Sequence, residues 1–223
     1  MGALSFTASK PVQRRHFFPL VPGVTHVPYP YCYRCPFSKT FPGCSAECAA
    51  PLRETIRRGV DGPVAAVMLE PVQGNGGQIP FPAPFVHEVR RICDEFGILL
   101  IFDEIQTGFG RTGRMFAADL LVVTPDLLVL SKSMGGGFPI GAFMATEKAA
   151  VGMVPGTHGS TYGGNPLASA AARVAIETII EEGLVENSRR VGERMMAEMK
   201  RWERDVPIVR DVRGRGLMIG MDL

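Results

Sequence analysis

Four short apolar runs constrain the fold of this chain more than any other feature. They are residues 64–69, Ile98–Phe102, Leu127–Leu130 and Gly141–Ala145. Each run is continuous rather than alternating, as is typical of strands that are buried on both faces of a sheet. Because helical patterns lie among the runs, the sequence predicts an α/β fold with a mostly parallel sheet flanked by helices.

Three helices are predicted around these runs. Pro82 and Pro84 open the first helix, and Gly97 ends it. Asn165 caps the second helix, and the third covers residues 185–204. Residues 1–30 are Pro-rich and are expected to be irregular, and residues 217–223 are expected to form a strand. The predicted apolar stripes are Phe85, Val89, Ile92 and Phe96; Leu167, Ala171, Val174 and Thr178; and Val191, Met195, Met199 and Trp202.

Three chemically active side chains follow the strands. Glu70 and Asp103 come directly after the first two runs, and Lys132 comes shortly after the third. Ligands gather at the carboxyl ends of parallel strands, so we expect these side chains to share one site. A desolvated lysine has a lowered pKa and attacks carbonyl groups, and a buried carboxylate can keep a pyridine nitrogen protonated. Together they indicate pyridoxal phosphate chemistry.

Four motifs contain or flank these residues. They are LEPVQG at 69–74, FDEIQTGFGRTG at 102–113, SKSMGGG at 131–137 and GSTYGGNP at 159–166. In order and spacing they resemble the class III aminotransferases, of the 4-aminobutyrate and ornithine type. The resemblance implies the large domain of a fold-type I pyridoxal phosphate-dependent transferase, followed by the start of a small C-terminal domain. The GxGxxG pattern at 108–113 is discounted as a nicotinamide site, because it lacks the acidic residue about 20 positions further on.

The resemblance also implies roles for the matching residues. Lys132 would bind pyridoxal 5'-phosphate as a Schiff base and later move the proton of the substrate, while Asp103 would keep the pyridine nitrogen protonated. Ile105 would pack on the ring, and Gln106 would contact its phenolic oxygen. Glu70 would pair with a distal arginine that lies beyond Leu223, and would therefore be unpartnered in this chain.

The loop at residues 159–161 is expected to bind the cofactor phosphate. Ser160 and Thr161 offer hydroxyl groups and backbone amides that suit an anion. The resemblance implies that Thr161 serves the site of the neighbouring subunit, so the expected assembly is a homodimer. The implied reaction moves an amino group from an amino acid or ω-amine, such as 4-aminobutyrate, to a 2-oxo acid. Racemisation or epimerisation of an amino acid stays open, because relatives perform it with the same lysine.

Class III enzymes are appreciably longer than these 223 residues. The loop that binds the cofactor phosphate lies further upstream in the family and has no match here. We therefore expect a central fragment, with residues 1–180 as part of the cofactor-binding large domain. Residues 181–223 would form a linking helix and the start of the small domain. The fragment alone is expected to bind the cofactor weakly and to be inactive.

A separate pattern, C-x2-C-x8-C-x3-C, is formed by Cys32, Cys35, Cys44 and Cys48. These cysteines could hold zinc or an iron–sulfur cluster. They could equally be reduced thiols of a cytosolic loop, where disulfides are disfavoured. A non-enzymatic, metal-stabilised module is thus the alternative function from a different class. Cys93 is expected in the protein core.

The composition limits the cellular location and the kinds of binding partner that are expected of this chain. The 24 Lys and Arg residues nearly balance the 22 Asp and Glu residues, for a net charge of +2. No basic run indicates nucleic-acid binding. No apolar stretch reaches the ~18 residues of a membrane span, and no secretory signal is evident. The sequence therefore predicts a cytoplasmic protein whose partners are small molecules.

Overall fold

The computed structural model describes residues 1–223, with eight strands and seven helices. The strands are β1 Ala66–Leu69, β2 Val72–Gln73, β3 Ile79–Pro80, β4 Leu99–Asp103, β5 Leu127–Leu130, β6 Ala142–Ala145, β7 Asp211–Arg215 and β8 Met218–Asp222. The helices are α1 Gly2–Phe6, α2 Ala50–Glu54, α3 Ala83–Phe96, α4 Ala117–Leu121, α5 Glu147–Ala150, α6 Pro166–Glu181 and α7 Leu184–Asp205.

The four predicted runs form one sheet, in the order β1-β4-β5-β6. Strands β1, β4 and β5 are parallel, and β6 pairs antiparallel with β5. The mostly parallel sheet of an α/β fold is therefore confirmed. Parallel pairing brings the carboxyl ends of β1, β4 and β5 to the same edge, which positions the residues that follow them.

Helix α3 packs against the sheet, and the two together form the main hydrophobic core. Its N-terminus has Pro84 in the first turn, and it ends at Gly97, whose φ of 67° is a left-handed conformation that glycine adopts freely. Its buried face includes Val86 and Ile92, which share one hydrophobic cluster with Leu100 of β4. Cys93 is fully buried in the same cluster, as predicted.

The stripes predicted for α6 and α7 are not the buried faces. In α6 the side chains of Leu167 and Val174 are 66% and 56% exposed, whereas Ala168 and Ala172 are buried. In α7 the buried positions are Ser188 and Gly192, and Met195 and Trp202 are 45% and 44% exposed. The reason is close backbone packing: small residues let the two helices approach their neighbours, so the larger apolar residues lie on other faces.

The sequence patterns did not predict two hairpins or the short helices α1, α2, α4 and α5. β2 pairs with β3, and β7 pairs with β8, both antiparallel. The strand predicted at 217–223 is β8, but its partner β7 is polar and gave no apolar signal. Within the N-terminal segment predicted to be irregular, α1 and a 3-10 turn at Pro11–Gln13 are regular. No helix is both long and apolar enough to cross a membrane.

Candidate active site

Three of the predicted site residues lie at the carboxyl edge of the parallel strands. Glu70 follows β1 directly, Asp103 is the last residue of β4, and Lys132 follows β5 after one intervening residue. The backbone N–H of Glu104 donates to the carbonyl of Val129 at 2.9 Å, which extends the pairing of β4 and β5 to this edge. The sheet thus brings the predicted amine and the two predicted carboxylates to one side.

Lys132 is positioned by a tight turn after β5. It opens a 3-10 turn, Lys132–Gly135, with a left-handed φ of 44°. Ser131, just before it, donates a hydrogen bond from Oγ to the carbonyl of Ile140 at 2.6 Å, which fixes the start of the turn. The Lys132 amine, Nζ, then donates to Oε1 of Gln106 at 2.9 Å. Two of the predicted site residues are therefore in direct contact.

One expectation about Lys132 is wrong for this chain. We expected a desolvated amine, but the side chain is exposed. The lysine lies beyond the strand, on the turn, and its hydrogen-bond partner Gln106 is itself in a loop. The apolar run before Lys132 therefore buries the strand without burying the amine.

Asp103 is a half-buried carboxylate with one oxygen committed. Its Oδ1 accepts a hydrogen bond from the backbone N–H of Ile105 at 3.0 Å. Burial raises the pKa of Asp103 above its ordinary value, although that N–H and the charge of Lys132 oppose the rise. A cationic group placed against Asp103 would favour its ionised form. Oδ2 makes no hydrogen bond within the chain and is free for such a group.

Glu70 is held by the loop that follows it. Its Oε2 accepts a hydrogen bond from the N–H of Gly74 at 2.9 Å, so the carboxylate has a backbone partner. Its pairing with a distal arginine stays a prediction. Burial raises the pKa of Glu70, and the nearby charge of Asp103 adds to the rise. A Cβ at Gly74 would collide with the side-chain amide of Gln106, so the glycine lets this loop reach Gln106.

Glu104 is a residue that the motif did not single out. It is fully buried, and burial raises its pKa. Its Oε2 accepts hydrogen bonds from the Thr107 hydroxyl at 2.6 Å and from the N–H of Ala117 at 2.9 Å, and its Oε1 accepts from the N–H of Ala118 at 2.8 Å. Glu104 therefore fastens the loop that carries Gln106 to the start of α4. The one available signal was a second acid directly after Asp103.

The predicted phosphate loop makes no hydrogen bond to this cluster. Ser160 and Thr161 are exposed. Ser160 Oγ accepts a hydrogen bond from the N–H of Gly163 at 3.0 Å, and neither residue bonds to Lys132. Their role in phosphate binding stays a prediction.

The four cysteines lie together around one cavity. Cys32, Cys35, Cys44 and Cys48 line a single cavity of about 30 Å³. No three His, Cys, Asp or Glu side chains are arranged to hold a metal ion. A zinc or iron–sulfur site needs three or four ligands to converge, so metal binding by these cysteines stays a prediction.

Comparison with known proteins decides the family. The family model described as Aminotransferase class-III matches residues 1–223. The chain belongs to the class III aminotransferases. This overturns the alternative of a non-enzymatic module built on the cysteines, since the family match covers the cysteine loop together with the rest of the chain.

Relatives of this aminotransferase chain include enzymes with different names. It is 45% identical to the acetylornithine aminotransferase of Gloeobacter violaceus over 215 residues, 96% of this chain and 48% of that protein. It is 41% identical to the leucine/methionine racemase of Thermococcus litoralis over 202 residues, 90% of this chain and 45% of that protein. The chain spans about half the length of the curated relatives it matches.

A solved structure agrees with the fold. A thermostable (S)-enantioselective ω-transaminase from Thermomicrobium roseum superimposes with a TM-score of 0.90 at 36% identity, covering 98% of this chain and 50% of that one. Class III aminotransferases are pyridoxal phosphate enzymes, and the residues present fit that cofactor. A lysine amine, a half-buried carboxylate with a free oxygen and a loop amide lie at one strand edge. These are the donor and acceptor types that an aldehyde and a pyridine nitrogen require.

Proposed function

We propose that the protein containing this chain is a pyridoxal phosphate-dependent aminotransferase. It transfers an amino group from an amino acid or ω-amine donor to a 2-oxo acid. The observation that carries the proposal is the hydrogen bond from Lys132 Nζ to Gln106 Oε1 at 2.9 Å, made beside Asp103 at the carboxyl edge of the sheet. Ornithine-type donors are the first choice, because relatives are named acetylornithine aminotransferases, and 4-aminobutyrate is the second.

The chain's own residues divide the work. Lys132 would bind the cofactor, with Ile105 against the ring and Gln106 at its phenolic oxygen. When bound, pyridoxal phosphate supplies an electron sink for the carbanion at the substrate's α-carbon. Asp103 Oδ2 would accept a hydrogen bond from the ring nitrogen and favour its protonated form. The Lys132 amine would remove the proton from the α-carbon, as a general base held on a fixed turn.

Further parts of the proposal concern the assembly and the domains. We infer a homodimer in which Ser160 and Thr161 of one subunit bind the cofactor phosphate of the other. Glu70 would face the substrate and respond to its charge. The division into a large-domain part, 1–180, and the start of a small domain, 181–223, is retained as a proposal, as is a cytoplasmic location.

The test is an activity panel on the full-length protein. Acetylornithine, ornithine, 4-aminobutyrate and β-alanine are offered as donors, each with 2-oxoglutarate or pyruvate as acceptor. We expect turnover with at least one pair, and its loss in Lys132→Ala. Lys148→Ala is the matched control, because Lys148 is also exposed but lies on α5, away from the site. Equal activity in wild type and Lys132→Ala would refute the proposal.

Racemisation is the second candidate function. The 41% identity to a leucine/methionine racemase favours it specifically, since the same lysine could return a proton to either face of the α-carbon. The discriminating experiment incubates L-leucine and L-methionine with the full-length protein in D2O, without a 2-oxo acid. A racemase gives deuterated D-amino acid under these conditions. An aminotransferase gives no sustained formation of the D-enantiomer.

A further inference from the structure

The cavity lined by the four cysteines lies outside the proposed active site. Its walls come from two arms of one loop: Cys32 and Cys35 in the first arm, and Cys44 and Cys48 in the second. The remaining lining is mainly apolar and includes Phe41 and other residues of the loop and of the start of α3. All four cysteines line this one small cavity, so thiols from both arms border the same space.

Within this cluster, Cys32 lines the same cavity as Cys44 and Cys48 of the second arm. Burial raises the pKa of Cys32, and among its neighbours Cys44 raises it more than Cys35 does, although Cys35 is closer in sequence. Burial likewise raises the pKa of Cys48 to about 11, and of the other thiols Cys32 contributes most. The charges of thiols on both arms thus act on Cys32, in keeping with their shared cavity. It is also the exposed member of the four.

The arrangement suits a bond between two thiols better than a metal. A metal needs three or four ligands to converge, and no three of these side chains do so. A disulfide needs only two. We propose that this loop is a disulfide-forming site, in which Cys32 bonds across the cavity to Cys44 or Cys48 of the second arm.

The reaction is thiol–disulfide exchange with a small disulfide of the glutathione type. Because burial raises the pKa of Cys32, only a small thiolate fraction reacts at neutral pH, and the exchange is faster at alkaline pH. That thiolate attacks one sulfur of the small disulfide, forms a mixed disulfide and releases one glutathione thiolate. The thiolate of the second-arm cysteine then attacks the Cys32 sulfur and releases the second glutathione. Two protein thiols are oxidised, one small disulfide is reduced, and the two protons pass to the released glutathione thiolates.

A bond across the arms constrains the chain, whereas a bond within one arm does not. Cys32 and Cys35 share a single 3-10 turn, so their disulfide would restrict little beyond that turn. A bond from Cys32 to the second arm ties Tyr31 and its neighbours to the segment that enters the core at Ala46 and Ala49. Closing a loop of roughly 15 residues restricts the unfolded chain, so oxidation should raise the melting temperature of a protein about twice this length by about 3 °C.

The experiment uses the full-length protein, first reduced and then equilibrated with glutathione disulfide. Free thiols are alkylated, and the disulfide-linked peptides are mapped by mass spectrometry. We expect a peptide that joins Cys32 to Cys44 or Cys48, a higher melting temperature than in dithiothreitol, and Cys93 in reduced form. Cys35→Ser should keep both the cross-link and the temperature shift, and Cys32→Ser should lose both.

Other outcomes overturn the proposal. Four free thiols after equilibration would do so, as would a disulfide confined to Cys32 and Cys35. Retention of stoichiometric zinc by the purified protein, measured by elemental analysis before reduction, would assign the loop to a metal instead. Mapping of the wild-type protein decides these cases even if a serine variant fails to fold.

Discussion

At the scale of single residues, Glu70 and Glu104 are both carboxylates at the site edge, and they differ in what their oxygens accept. Glu70 accepts one backbone N–H, from Gly74, through Oε2. Glu104 uses both oxygens and accepts from Thr107, Ala117 and Ala118. A glutamine at position 70 can keep the bond from Gly74, because its amide oxygen accepts one hydrogen bond. A glutamine at position 104 cannot keep all of the Glu104 contacts, because its NH2 group would face an N–H donor.

The matched substitutions Glu70→Gln and Glu104→Gln should therefore differ in stability at neutral pH. We expect Glu70→Gln to leave the free energy of unfolding unchanged or higher. Glu104→Gln should lower it by about 1–3 kcal/mol, because buried donors are left without an acceptor. Urea unfolding of the full-length protein with each change measures both values. Equal destabilisation by the two glutamines would show that the contacts of Glu104 do not have this structural role.

The raised pKa of Glu70 also predicts a pH dependence. A carboxyl group whose pKa is higher in the folded state stabilises the fold fully below its unfolded pKa, about 4.3, and that contribution is lost as the pH rises through the folded value. Glu70→Gln has no such titration. Its stability relative to wild type should increase with pH over this window and then become constant. A difference that is independent of pH would contradict the assignment.

A substitution of Gln106 tests the role of a single residue in catalysis. Its Oε1 accepts the bond from Lys132 Nζ, and Gln106→Leu removes that acceptor while keeping much of the volume. Since a hydrogen bond to a charged group contributes about 1.5–3 kcal/mol, we expect kcat/KM to fall by roughly 10- to 100-fold. Steady-state kinetics with the best donor of the panel measures the loss. Unchanged kinetics would mean that this contact does not persist in the working enzyme.

At the scale of elements, α7 is joined to the loop at residues 108–113 by close backbone packing. The Ser188 hydroxyl and the N–H of Leu217 both donate to the carbonyl of Arg111, each at 3.0 Å. A Cβ on Gly192 would collide with the backbone of Gly216. The sequence pattern predicted that this helix exists, but it selected the larger apolar residues for the buried face. A pattern of hydrophobic residues cannot identify this buried face, because its close contact is made at a glycine, which has no side chain.

Gly192→Ala tests that packing. Replacing glycine by alanine within an exposed helix is normally stabilising by about 1 kcal/mol. Here we expect the opposite sign, a loss of about 1–3 kcal/mol, because the backbone of Gly216 must move. Glu198→Ala, on an exposed position of the same helix, is the control and should change stability little. A more stable Gly192→Ala protein would show that α7 does not pack this closely.

At the scale of the whole molecule, the sheet could be predicted from the sequence, whereas its surroundings could not. The continuous apolar runs predicted strands buried on both faces, and all four became strands of one sheet. The predicted burial was wrong for β6, where Phe143 and Met144 are exposed, because β6 lies at the edge of the sheet. The strand-end placement of Glu70, Asp103 and Lys132 followed from parallel pairing. The exposure of the Lys132 side chain could not be predicted, because the apolar pattern describes the strand and not the turn after it. The β2–β3 hairpin could not be predicted either, because a strand of two residues is too short to show a hydrophobic pattern.

The proposed homodimer makes a prediction about mixed subunits. If Thr161 serves the neighbouring site, Lys132→Ala and Thr161→Ala subunits each form defective homodimers. A heterodimer of the two contains one intact site, with Lys132 from one chain and Thr161 from the other. Unfolding and refolding an equal mixture should therefore restore about a quarter of wild-type activity. Activity no higher than that of the two separate proteins would place Thr161 outside the partner's site.

The claim on which the whole account depends is that Lys132 carries the cofactor, and one measurement tests it directly. The full-length protein is saturated with pyridoxal phosphate, reduced with borohydride and digested, and the peptides are mapped by mass spectrometry. We predict a single pyridoxyl label, on Lys132, at the turn after β5 where its amine meets Gln106. Stoichiometric labelling of a different lysine, with Lys132 unmodified, would contradict the account.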